Sequence, residues 1–300
     1  MAHSAGLDNR RLTRIVDASL LVRPIVGAFH ASTLIDCIDL RVACLRLVVP
    51  DGCVVTDRTA GWLHGATMVL APNSHLVVPR VSVFHIPGNR LRNTLTASGE
   101  RSLLDRDVVV VQGIRVTTPI RTACDLGRLL HRDSSFAGLD AMLRLGLFSR
   151  DSLIDEVGRF KGYRGVRQLR AFAPLADSGS ESFGESVLRL RWYSAGLSAR
   201  PETQVPVTNG RTGQRAFLDL GAPESRYAAE YDGEQFHGAA EQAHDSERRA
   251  WLRDEAGWIV DVFRREDLFG RSAQAISRLS AGLGRAKVHL RAGSAYSLRT

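Results

Sequence analysis

Lysine is almost absent from this sequence. Only Lys161 and Lys287 occur among 40 basic side chains, so arginine carries nearly all of the positive charge. The net charge of +8 and a pI near 9.9 point to an anionic partner, with nucleic acid the leading class. An arginine-rich genome composition would give the same total, so the position of the charge is more informative than its sum. Cysteine is scarce as well. Cys37, Cys44, Cys53 and Cys124 form no Cys-x-x-Cys pair, and no histidine lies at a zinc-finger offset from them. That pattern excludes a disulfide framework and a zinc ribbon, and it predicts buried free thiols in a reducing cytoplasm. Long apolar runs are missing. Ser19–Ile38 is the richest stretch, but Arg23, Pro24, His30 and Asp36 interrupt it, so it is no membrane span. Met1–Arg14 is polar and has none of the apolar core that a secretory signal needs. No internal repeat is visible.

What is present is the make-up of a globular chain. Its 300 residues are 44% hydrophobic and 24% charged, enough for two or three compact domains. The charge is unevenly placed. Residues 1–180 carry 23 basic and 16 acidic side chains, residues 181–270 carry 11 and 16, and residues 271–300 carry 6 and none. An acidic block is therefore flanked by basic ones, which suits a metal-binding centre with phosphate contacts around it.

The N-terminal stretch Asn9–Val22 has a helix-like apolar face (Leu12, Ile15, Val16, Leu20, Leu21) opposite arginines. Arg23–Ser32 reads as a strand or wing. Residues 1–50 are thus a helical region compatible with a reduced winged helix, or equally with a cap on the next domain. Leu34–Val49 is predicted to be a second amphipathic helix. From Gly52 the texture turns to mixed α/β. Strands are predicted at Cys53–Thr56, Ser74–Pro79, Val81–Ile86, Asp107–Val111 and Ile114–Thr117, the last two joined at Gln112-Gly113. Asp57 is the expected N-cap of a following helix, and Pro119 opens another. Helical sequence continues to Phe172, where Arg164, Arg167 and Arg170 share roughly one side. They fit a phosphate-tracking face or a solvated one. His64 and His85 read as hydrogen-bonded structural residues. Asp177–Glu181 is a small-polar break.

Beyond the break, a helix is predicted at Ser182–Trp192, a strand at Gln204–Val207, and then the stretch Phe217–His237. In it, Phe217, Leu218 and Leu220 surround Asp219, while Tyr227, Ala228, Ala229 and Tyr231 surround Glu230. Gly-Ala-Pro-Glu-Ser-Arg between them has turn composition. This is a hairpin whose strands end in carboxylates, the way a fold gathers oxygen ligands for a hard divalent cation. Solvent-facing strand and turn acids would give the same local pattern. A helix at Gly238–Ala256, a strand at Trp258–Phe263 and a helix at Gln274–Leu283 follow.

The order helix–strand–strand–strand–helix–strand, with acids on the first helix and two middle strands, resembles the PD-(D/E)XK nuclease superfamily. Ser-Phe-Gly-Glu-Ser-Val-Leu-Arg at 182–189, Leu-Asp-Leu at 218–220, Glu-Tyr-Asp-Gly at 230–233, His237, Asp245, Arg248, Leu252 and Gly-Trp-x-Val at 257–260 resemble the very-short-patch-repair (Vsr)-like endonuclease domains within it. The resemblance implies a restriction-endonuclease-like α/β domain with a central mixed sheet flanked by helices. It implies Mg²⁺ or Mn²⁺ held by Asp219 and Glu230, with Glu185 as the helix acid. The superfamily usually has a lysine where Asp232 stands, and related domains often end the last strand in Arg-Phe where this chain has Val262-Phe263. Arg248 is the nearest substitute cation, though an arginine cannot act as a general base. His237 is placed to carry the proton.

The middle of the chain is similar to AbiEi-like proteins, the antitoxin half of type IV toxin–antitoxin systems. The carriers are Val-Thr-Asp-Arg-Thr-Ala-Gly-Trp-Leu-His-Gly at 55–65 and Val-Thr-Thr-Pro-Ile-Arg-Thr-Ala-Cys-Asp-Leu at 116–126. Together these readings divide the chain into residues 1–50, an AbiEi-like mixed α/β domain at 51–177, a nuclease-like domain at 180–270 and a basic helix and tail at 271–300. The expected activity is Mg²⁺-dependent DNA hydrolysis, with Asp219, Glu230, Asp232, His237 and Arg248 as site residues and DNA and a toxin-type protein as partners. The alternative is a non-catalytic DNA-binding regulator or antitoxin built on a degenerate nuclease fold.

Overall fold

The computed structural model describes residues 8–66, 69, 79–85, 95–197, 200–233, 239–270 and 273–297. The chain is mixed α/β and falls into two compact units, Met1–Ala176 and Asp177–Thr300.

The first unit opens with α1 (Asn9–Asp17), whose Arg11 amide donates to the Asp8 carboxylate at 2.7 Å. The helix stops earlier than predicted because Ser19 takes a left-handed φ of 57°. Leu21 and Val22 then enter an antiparallel pair, β1 (Leu21–Ile25) and β2 (Ala28–Ala31). The second helix is also shorter than predicted. α2 spans Ile38–Arg46, and Leu34 and Ile38 are exposed rather than part of a buried face.

Five strands form the sheet of this unit: β3 (Val54–Val55), β4 (Val81–His85), β5 (Thr96–Glu100), β6 (Val108–Val111) and β7 (Ile114–Thr117), in the order β5-β4-β3-β7-β6. The predicted strand Ser74–Pro79 lies almost wholly outside the described residues. β6 and β7 turn on Gln112 and Gly113, with φ of 45° and 82°. Two adjacent left-handed residues make the tight turn whose twist matches the strands it joins. α3 (Asp57–His64) begins at Asp57, so Thr56 holds the N-cap position and Asp57 does not. The Asp57 carboxylate is instead drawn away to Arg101. Thr118 caps α4 (Pro119–Leu129), and α5 (Arg132–Arg144), α6 (Arg150–Val157) and α7 (Val166–Phe172) pack around it. His64 hydrogen-bonds the Thr117 carbonyl at 2.7 Å, and burial holds its pKa down. Arg164, Arg167 and Arg170 are exposed. Cys44, Cys53 and Cys124 are buried free thiols whose pKa burial pushes up, whereas Cys37 is exposed.

The second unit is a four-stranded mixed sheet in the order β11-β10-β9-β8, flanked by helices. α8 (Phe183–Ser194) leads to β8 (Glu202–Thr208) and β9 (Arg215–Ala222). The β8–β9 turn is tied by the Asn209 carboxamide, which accepts from the Arg211 and Thr212 amides. β10 (Tyr227–Tyr231) runs antiparallel to β9. It is joined through α9 (Ala239–Asp254) to β11 (Ile259–Phe263), its parallel neighbour. Leu252 and Trp258 pack on Val205, Val207, Leu218 and Ala228. Trp192 of α8 stacks on Tyr227 with ring centroids 5.5 Å apart. After α10 (Arg265–Leu268), α11 runs over Ala275–Ser297, well past the predicted end at Leu283. It packs on β10 and β11 through a face that buries Leu279, Leu283 and Ala286, and Arg285 pairs with Asp261. Among the described residues no helix is long and apolar enough to cross a membrane.

Candidate active site

The site grows out of an interruption in the sheet. β9 and β10 pair from Tyr227↔Ala222 to Ala229↔Leu220, and the register ends there. The next donor on β10, the Tyr231 amide, goes to the Asp219 carboxylate at 2.8 Å. A side chain thus takes over a backbone acceptor's role at the point where the two acids lie. Asp219 sits within its strand, not at the end that the hairpin pattern predicts. Glu230 stays in register with Val262 of β11, and the Asp232 amide continues that pairing to the Phe263 carbonyl.

The third acid arrives from α8. Ser182 caps this helix by accepting from the Glu185 amide at 3.1 Å, and the Glu185 carboxylate reaches back to the Glu181 amide at 2.8 Å. An acid in a first turn is favoured by the helix dipole. Gln204 donates to the same Glu185 oxygen at 3.3 Å. Gly184 lets the Tyr231 ring pack closely here, because a Cβ at that position would lie 2.0 Å from the ring and force it to shift.

Glu185, Asp219, Glu230, Asp232, Arg248 and Val262 line one cavity of about 340 Å³, together with Ser182, Tyr231, Gly233 and Arg249. Burial pushes the Asp219 pKa up to about 7. The charges of Glu185 and Glu230 add to the rise, and the Tyr231 amide and Arg248 oppose it. Arg248 of α9 grips Glu230 with both arms, Nη2 to Oε1 at 2.6 Å and Nη1 to Oε2 at 3.3 Å. Arg264 lies 3.5 Å from Asp232. Among the described residues no three His, Cys, Asp or Glu side chains form a set arranged to hold a metal ion. Glu230 is in the arginine fork, and one oxygen of Glu185 faces the backbone. His237 and the Asp245 side chain lie outside what is described.

A second charged assembly, not anticipated from the sequence, lies in the first unit. Arg101 joins Asp57 at 2.7 Å to Asp125 at 2.9 Å, and Asp125 also binds Arg121 and Arg128. Arg121 continues to Asp107, which Arg159 also holds. Asp57, Arg121 and Asp125 belong to the two stretches 55–65 and 116–126. Their spacing gave no sign that Arg101 bridges them.

The comparisons fall on these two regions unequally. Residues 44–175 match the AbiEi antitoxin C-terminal domain, a span that holds the whole charged assembly of the first unit. Over 244 residues the chain is 33% identical to the uncharacterized protein Rv2248 of Mycobacterium tuberculosis, covering 79% of this chain and 85% of that protein. The uncharacterized protein MT2308 of a second M. tuberculosis strain is similar to the same extent.

Proposed function

We propose that this chain, which belongs to the family of the M. tuberculosis proteins Rv2248 and MT2308, couples an antitoxin-type module to a metal-dependent nuclease site in its C-terminal unit. The observation that carries the reading is the cavity that Glu185, Asp219 and Glu230 line from three different elements, with Asp219 raised to about 7 by burial and by the charges of the other two. Crowded acids of this kind favour a divalent cation. Asp219, Glu230 and Glu185 would hold Mg²⁺ or Mn²⁺, and Asp232 offers a further oxygen. When bound, such an ion supplies Lewis acidity and offsets charge at a phosphodiester. Arg248 supplies fixed positive charge for a phosphate oxygen. His237 enters on the sequence pattern alone, as proton carrier. The Vsr-like resemblance agrees with this assignment, with DNA as substrate. The AbiEi-type domain suggests a role in a toxin–antitoxin pair with a toxin protein as partner.

The test is nicking of supercoiled plasmid with Mg²⁺ or Mn²⁺. Activity should fall at least about a hundredfold in Asp219→Ala and Glu230→Ala, as when a group stabilising the transition state is lost. Unchanged activity in both would overturn the reading. A second reading is favoured by Asp232 at the usual lysine position and by the Arg248 fork on Glu230. In it, the C-terminal unit is a non-catalytic scaffold of a DNA-binding regulator. Salt-sensitive DNA binding without saturable Mn²⁺ binding would select that reading.

A further inference from the structure

We propose that Arg248 is a phosphate-released lock on Glu230. In the DNA-free protein its guanidinium occupies the carboxylate, and an incoming phosphodiester oxygen draws it off and frees Glu230 for the cation. The proposal rests on the metal-site reading above and adds an order of events to it.

Three contacts carry it. Nη2 of Arg248 donates to Glu230 Oε1 at 2.6 Å and Nη1 to Oε2 at 3.3 Å, so both oxygens of the carboxylate are engaged. Nη2 also donates to the Phe217 carbonyl at 2.9 Å, which anchors the guanidinium to the strand that carries Asp219. Arg248 nevertheless lines the cavity and keeps 23% of its side chain accessible. A guanidinium fork fits phosphate as well as it fits carboxylate. Moving the fork from one to the other leaves it paired throughout, while Glu230 exchanges an arginine for a cation. Without DNA, a cation must compete with a two-armed ion pair. With DNA, that competitor is already engaged. Cation and phosphate therefore promote each other's binding, and by linkage they do so equally. Arg249 is a built-in control. Its Nε lies 3.9 Å from Glu230 Oε2, close enough to contribute charge but too far for a hydrogen bond.

Equilibrium Mn²⁺ binding to the full DNA-free chain, read by electron paramagnetic resonance, tests the lock. Arg248→Lys keeps the charge and loses the fork, and it should bind Mn²⁺ about two- to fivefold more tightly than the wild type. Arg248→Met should gain about tenfold, more than Arg249→Met. A short DNA duplex should raise Mn²⁺ affinity more in the wild type than in Arg248→Lys. If Arg248→Lys binds Mn²⁺ no more tightly than the wild type while Glu230→Ala binds it more weakly, the lock is overturned and the metal site stands. If Glu230→Ala and Asp219→Ala leave Mn²⁺ binding unchanged, the metal reading fails and the lock with it.

Discussion

The two units bury charge in opposite ways. In the first, Asp125 and Asp107 are almost fully inaccessible, at 0% and 1%, yet each is surrounded by arginines. Asp125 meets Arg101, Arg121 and Arg128, and Asp107 meets Arg121, Arg159 and the Leu104 amide. Phe160 lies under Arg121, Arg128 and Arg159, and Phe84 under Arg101. Burial alone would raise the pKa of Asp107, but the Leu104 amide and the two arginines outweigh it and hold the pKa down. In the second unit burial raises the Asp219 pKa, and the nearby carboxylates of Glu185 and Glu230 add to the rise instead of opposing it. Burial pushes both carboxyl groups upward, and the balance of neighbouring charge decides the net direction: arginines reverse the rise at Asp107 and carboxylates reinforce it at Asp219. A balanced network ties four distant segments into one fold, and an unbalanced one is kept at a cost in stability and is a candidate for binding.

The comparison can be broken by substitutions that should act with opposite sign. Asp125→Ala takes a shared carboxylate from three buried arginines, two of which keep a second aspartate, and thermal or urea melts should show a loss of about 3–5 kcal/mol. Asp219→Asn should do the reverse in chelated buffer at pH 8. It removes a costly buried charge, while the carboxamide oxygen of the replacement can still accept from the Tyr231 amide. The gain should reach about 1–4 kcal/mol, since each unit of pKa corresponds to about 1.4 kcal/mol.

The pH dependence of the melts sharpens this contrast. Asp107, with a lowered pKa, contributes stability above the ordinary value of 3.8 and loses it as the pH falls through its lower folded-state value. Asp219 contributes stability below 3.8 and loses it as the pH rises through about 7. The melting temperature of the metal-free wild type should therefore drop on both sides, in strong acid and again through neutrality. Asp219→Asn should keep the acid limb and lose the neutral one. A variant that retained the neutral limb would remove the distinction between the units. The smallest of these effects is expected for Gly184→Ala, whose new methyl must displace the Tyr231 ring. It should cost about 1–3 kcal/mol and lower plasmid nicking along with stability.

Much of this architecture was legible where a local rule sufficed. The short apolar runs around Asp219 and Glu230 mark two strands, and Gln112-Gly113 and Pro119 mark a turn and a helix start. Other parts were opaque because tertiary partners decide them. Thr96–Glu100 has no apolar alternation and becomes a strand by pairing with β4. Asp57 has the composition of a cap, but Arg101, 44 residues away, takes its carboxylate. In the candidate site, the acids could be grouped because each lies in a short motif. That Arg248 holds Glu230 depends on how α9 returns across the sheet, and spacing within the sequence does not encode it.

The handover of the Tyr231 amide to the Asp219 carboxylate has a spectroscopic consequence. Most protected amides in a sheet depend on backbone carbonyls that no ligand removes, but this one depends on a side chain that also faces the cavity. Its hydrogen-exchange rate and proton chemical shift should follow whatever engages Asp219, and neighbouring amides such as that of Ala229 provide the unaffected reference. A single amide thus serves as an internal probe of the cavity, and no label need be attached to the protein.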